Sequence, residues 1–135
     1  MENYAYFTAA SGRISLDVRI LHLGTDVQCL LCGGDAHIGA VALAWMEAGV
    51  PQSHLLCLPE HREGEIALRM ARTLAQALHC AVCISAGIHF DDIAREEIAA
   101  VENLANELTG QCLDFFGQIR RFHGKQRKIF PMPAV

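Results

Sequence analysis

Residues 32–45, CGGDAHIGAVALAW, follow an apolar run and place two glycines and an acid ahead of a stretch rich in small apolar residues. Read as a turn into a helix, the segment has the outline of a phosphate-binding loop. Gly33 and Gly34 leave backbone N–H groups open to a ligand, and a helix over 38–48 aims its positive dipole end at the same point. Gly49-Val50-Pro51 then supplies a stop signal. A sharp strand-to-helix turn needs glycine with or without a ligand, so the glycine pair alone leaves both readings open. His37 is the residue that a plain phosphate loop does not require.

Upstream, residues 13–20, RISLDVRI, alternate with Ile14, Leu16, Val18 and Ile20 on one face, which predicts a half-buried strand. With the turn LGTD and the run VQCLLCGG, residues 12–33 read as an antiparallel hairpin. Downstream, HLLCLP (54–59) and CAVCISAGI (80–88) read as buried strands, and GEIALRMARTLAQALH (64–79) as an amphipathic helix. A second amphipathic helix is expected over 93–110, capped by Asp92 and continuing, bent or broken at Thr109-Gly110, to about residue 119. The expected fold is an α/β layered fold in the order β-β-α-β-α-β-α. Its N-terminal antiparallel hairpin joins parallel strands, and helices pack on the sheet.

At 135 residues the chain is long enough for one domain that buries roughly two thirds of its unfolded surface. Hydrophobic residues make up 52% of it and the mean hydropathy is +0.22, which points to an apolar face covered by a partner; a homodimer is expected. No apolar run approaches the roughly 18 residues needed to span a bilayer, and residues 1–17 lack the pattern of a signal peptide. The expectation is a cytoplasmic protein that does not act on membranes. All fifteen acids lie at or before Asp114, whereas Arg120, Arg121, Lys125, Arg127 and Lys128 crowd the end. The chain divides into a domain over 1–119 and a basic tail over 120–135, solvated or docked on an acidic partner. An acidic body with a short basic end does not suit nucleic acid.

Parallel strands ending near Cys32, Leu58 and Ala86 bring three loops to one sheet edge, where open α/β sheets bind ligands. The loops are GGDAHIG (33–39), PEHREGE (59–65) and AGIHFDD (86–92), each with one histidine. His37 and His61, with Arg62 beside them, suit an anion or a ring edge; with His89 they also suit a metal. Asp35, Glu63, Asp91 and Asp92 favour a cation or a ligand's N–H and hydroxyl groups. Each histidine taken singly is equally well read as a loop residue satisfied by backbone. His22, His54, His79 and His123 have ordinary positional explanations.

The pairs CLLC (29–32) and CAVC (80–83) resemble halves of a zinc or redox site. On strands, however, residues three apart point to opposite faces and cannot chelate one ion. All six cysteines are therefore read as thiols, mostly small buried apolar groups.

The stretches GGDAHIGAVALA (33–44), LPEHREGEIALRMARTLAQAL (58–78) and AGIH (86–89), with the acidic helix that follows, resemble the prenylated-flavin chaperone family typified by LpdD, the D subunit of gallate decarboxylase. The resemblance covers about residues 12–108. It implies a non-catalytic accessory protein that binds reduced prenylated FMN, or FMN. Its partners would be a UbiD-type aromatic acid decarboxylase, to which it delivers the cofactor or in which it assists maturation, and the flavin prenyltransferase. The residues expected to bind the flavin are Gly33, Gly34, Asp35, His37, Ile38, Gly39, His61, Arg62, Glu63, Gly87, Ile88 and His89, with no catalytic residue and no metal assigned. Two other readings remain open: a metal-dependent hydrolase or lyase using His37, His61 and His89, and a structural subunit of a decarboxylase complex.

Overall fold

Alternating burial is the pattern that builds this molecule. The computed structural model describes residues 4–129, with side chains from 4 to 119. The elements are β1 Tyr4–Ser11, β2 Ile14–Leu23, β3 Asp26–Gly34, β4 Ala40–Glu47, β5 Val50–Cys57, α1 Gly64–Leu78, β6 Val82–His89 and α2 Arg95–Ile129. The strands form one sheet ordered β1-β2-β3-β6-β4-β5. The α/β class, the antiparallel hairpin (β2–β3), its parallel neighbour (β3–β6) and the helices packed on the sheet agree with the sequence reading. Strand β1, which the sequence reading leaves unassigned, pairs with β2 along its whole length.

Two elements differ. The run HLLCLP (54–59), expected as a buried strand, falls at the end of β5, an edge strand that stops at Cys57 and leaves Leu56 75% exposed. The expected helix over 38–48 is strand β4, and the stop signal after it is a hairpin turn. Ala48 (φ 51) and Gly49 (φ 79) both adopt left-handed conformations between Glu47 and its partner Val50, as a tight type I′ connection requires. Ala40, Ala42 and Ala44 are buried while Val41, Leu43 and Trp45 face the other way. Both faces are apolar, so the alternation of period two is masked in the sequence. The inward alanines are small because α1 lies directly over β4, presenting Ala67, Ala71 and Ala75. Pairing and packing thus override alanine's helical preference. Pro51 is accommodated because β5 is an edge strand.

Both helices cover the same face of the sheet. Ile14, Leu16, Val18 and Ile20 of β2, Val27, Cys29 and Leu31 of β3, and Val82, Ile84 and Ala86 of β6 point into the core. They meet Met70, Leu74 and Leu78 of α1, and Leu104, Leu108, Phe116 and Ile119 of α2. Each large side chain here contributes about 1.5–3 kcal/mol of burial. On the other face Tyr6, Leu43 and Leu56 are 48%, 41% and 75% exposed.

Helix α2 is continuous from Arg95 to Ile129, without the expected break at Thr109-Gly110; Thr109 returns its hydroxyl to the Ala105 carbonyl at 2.8 Å. Its cap is Ala94 rather than Asp92. Glu97 reaches back to accept the Ala94 N–H at 2.9 Å, and Ala94 in turn accepts the Glu97 N–H at 3.0 Å. Of the basic tail, residues 120–129 continue α2 and residues 130–135 lie outside the described residues.

The cysteines behave as buried or half-buried thiols, apart from Cys57, which is exposed, and all six are free. Cys29 and Cys32 lie on opposite faces of β3. A hydrogen bond with Cys112 and then burial push the Cys29 thiol far up.

Candidate functional site

Strand β6 lies between β3 and β4 although it is made after them, so the connection of residues 35–39 must step across its end. Two hydrogen bonds tie this bridge down: Asp35 N–H to the His89 carbonyl at 3.0 Å and Gly39 N–H to the Ala86 carbonyl at 2.8 Å. Backbone passes so close that a side chain at Gly87 would run into the main chain of His37. Gly34, at φ 66, is confined in the same way by the His89 carbonyl. The glycines of this region therefore serve the crossing itself. The helix dipole expected behind them is absent, because Ile38 opens no helix and is 64% exposed.

The loops nevertheless share an edge. Strand β6 runs parallel to β3, β4 antiparallel to β6, and β5 antiparallel to β4. The ends of β3, β5 and β6 thus point the same way, although the bridge and the antiparallel strand β4, rather than a crossover helix, join β3 to β5.

The segment between β5 and α1 is laced to the bridge. Leu58 donates to the Gly39 carbonyl at 2.8 Å, and His61 N–H to the Leu58 carbonyl at 3.3 Å. Glu63, the residue before α1, is buried at 5% exposure and accepts the Ile88 N–H on Oε2 at 2.8 Å. A Cβ on Gly39 would lie 2.6 Å from both the Glu63 carboxyl carbon and the His61 ring, so a glycine there lets the two side chains close over the bridge.

His37 Nδ1 lies 2.8 Å from the Asp35 carbonyl and His61 Nδ1 lies 2.8 Å from the Pro59 carbonyl. A carbonyl only accepts, so both Nδ1 atoms carry hydrogen and both rings offer Nε2 to the site. His37 Nε2 stands 3.3 Å from Glu63 Oε2, and the two imidazoles are 4.9 Å apart between centroids. His89 reaches the same edge but turns its Nε2 to Asp91 Oδ1 at 3.0 Å.

These residues form one end of a groove of about 660 Å³ between the loops, the start of α1 and the first turns of α2. Of the sequence-predicted set, His37, His61, Arg62, Glu63, Ile88 and His89 line it, while Gly33, Gly34, Asp35, Ile38, Gly39 and Gly87 do not. The sequence reading missed its apolar wall, made by Ile66 of α1, Phe90 and Ile93 of the following loop, and Ile98 and Val101 of α2. The expectation of an amphipathic helix over 93–110 held nothing that separates groove from core.

Arg13, in the β1–β2 turn, anchors that wall. It pairs with Glu97 at 2.7 Å and donates to the Asp91 carbonyl at 2.8 Å. The guanidinium, followed by the Ala94 N–H, lowers the Glu97 carboxyl to about 2.

Among solved structures, the chain is similar in fold to one from "Crystal Structure of a Novel Chaperone Complex for Yeast 20S Proteasome Assembly". The two share 11% identity with a TM-score of 0.61, over 87% of this chain and 98% of the other. Among curated proteins, none matches the chain. The family model described as "Prenylated flavin chaperone LpdD-like domain" matches residues 10–117, which take in β2 to β5, α1, β6, all three loops and most of α2. The chain belongs to the prenylated flavin chaperone LpdD-like family.

Proposed function

We propose that the protein holds a reduced prenylated FMN, or FMN, in the groove and passes it to a UbiD-type aromatic acid decarboxylase without transforming it. The observation that carries this reading is the groove's division into two ends. Ile66, Ile88, Phe90 and Ile93 form an apolar wall suited to a flat prenylated ring, and His37, His61 and Arg62 stand at the polar end. Its size is ordinary for a cofactor site. The phosphate would sit by Arg62 and the N-terminus of α1, where free N–H groups and the dipole favour an anion. That moves the anion contact from the glycine pair to the segment 59–65.

The exposed wall of the groove leaves a bound flavin within reach of a receiving enzyme. The flavin prenyltransferase is the source that such a carrier would draw on, and the cytoplasm is the compartment in which the three would meet. The uncovered sheet face, with Tyr6, Leu43 and Leu56, suits a second copy of the chain.

The test is an anaerobic titration with FMN and with reduced prenylated FMN, followed by absorbance. Retention in wild type, at least tenfold weaker in His37→Ala and in Ile93→Asp, is the expected result. Failure of both flavins to bind would overturn the reading. Turnover of an aromatic acid by the isolated chain would favour the hydrolase or lyase alternative.

A further inference from the structure

We propose that His37, His61 and Glu63 form a binding site for a divalent transition-metal ion, of the zinc, cobalt or nickel type, at the polar end of the groove. The three donor atoms lie within 4.8 Å of one another. Both imidazoles have their Nδ1–H committed to a backbone carbonyl, Asp35 for His37 and Pro59 for His61. That leaves Nε2 as the ligating nitrogen of each ring, an arrangement that metal-bound histidines nearly always share. The carboxylate is held in the same manner by the Ile88 N–H.

The distances favour an ion as well. With hydrogen on Nδ1 alone, His37 Nε2 is an acceptor facing another acceptor, Glu63 Oε2, at 3.3 Å. Something positive belongs between them. Two ligand atoms bound at zinc-like distances and a near-tetrahedral angle stand about 3.4 Å apart. A proton on His37 is the competing occupant, but it would leave His61 Nε2 without a role. Two nitrogens and one oxygen suit a borderline transition metal better than calcium or magnesium.

The surroundings are mostly acidic: among the described residues Glu60, Glu63, Glu65 and Glu102 line the groove against one cation, Arg62. An ion on three protein ligands keeps at least one position open to the groove. If the flavin reading holds, that position takes an anionic oxygen of the bound cofactor, and the ion offsets the repulsion between the ligand and these carboxylates. The other cluster, Asp35, His89 and Asp91, is exposed throughout and lacks this second layer of hydrogen bonds.

The experiment uses the full chain freed of metal with a chelator and titrated with Co²⁺ alone. Visible ligand-field bands saturating at one ion per chain are expected, together with shifts of the His37 and His61 Nε2 resonances in ¹⁵N spectra. His37→Ala and His61→Ala should each weaken binding more than about tenfold, and His89→Ala should leave it unchanged. The ¹⁵N measurement on wild type guards against variants that fail to fold. No bands and no shifts, a His37 that stays protonated in the presence of Co²⁺, or shifts confined to His89 would overturn the proposal. FMN retention with and without chelator separates it from the flavin reading. Cobalt bands without FMN binding leave the metal site standing and remove the flavin, whereas equal retention in chelator with no bands does the reverse.

Discussion

Single residues decide whether the loops can meet. Gly87 is the clearest case: the bridge of residues 35–39 lies on it, so Gly87→Ala must push the His37 backbone outward. A loss of about 1–3 kcal/mol in urea unfolding is expected, together with weakened flavin retention. Its neighbours in the motif AGIH gave no hint of this, because the close approach involves a segment almost fifty positions earlier in the chain. His37 and His61, by contrast, were legible as site residues from their recurrence at successive loops. Glu97 governs a different property. Its carboxyl is lowered from an ordinary 4.5 to about 2, so the pair with Arg13 stabilises the fold above the ordinary value and loses that effect as pH falls through about 2. Glu97→Gln should lower the thermal midpoint at neutral pH, converge with wild type near pH 2, and differ less in high salt because the pair is exposed. Thermal scans across pH check this.

At the scale of elements, α1, β2, β3 and β6 were readable because each buries one face or a continuous run. Strand β4 was not. Its inward alanines and outward Val41, Leu43 and Trp45 are apolar on both sides, and periodicity carries no information when both faces are greasy. Two substitutions separate strand from helix. Ala42→Leu places a large side chain against α1 and should cost about 1–3 kcal/mol, whereas Leu43→Ala, one position along, should cost well under 1 kcal/mol in a monomer. Equal effects would contradict the alternation. The edge shared by the three loops was foreseen for a reason only partly right. Strands β3, β5 and β6 do point the same way, but the antiparallel β4 takes the place of a crossover helix. The anion-friendly helix end consequently belongs to α1.

For the molecule as a whole, the high apolar content finds its explanation in a sheet that, among the described residues, both helices cover from the same side. Leu43 and Leu56, on neighbouring strands, are exposed aliphatic groups of the uncovered face, at 41% and 75%. Leu43→Glu combined with Leu56→Glu should convert a dimer to a monomer in sedimentation velocity while preserving the circular dichroism spectrum; a wild-type chain already monomeric at high concentration would remove this face as an interface. The order in which the sheet is laid down has another outcome. Strand β6 is the last to be synthesised and occupies the middle, and the bridge bearing His37 is pinned to its carbonyls. A nascent chain that stops short of β6 therefore owns His37 and His61 without owning a pocket. On the flavin reading proposed above, the capacity to carry cargo becomes a certificate of complete folding, and an unfinished molecule would leave a labile cofactor in circulation.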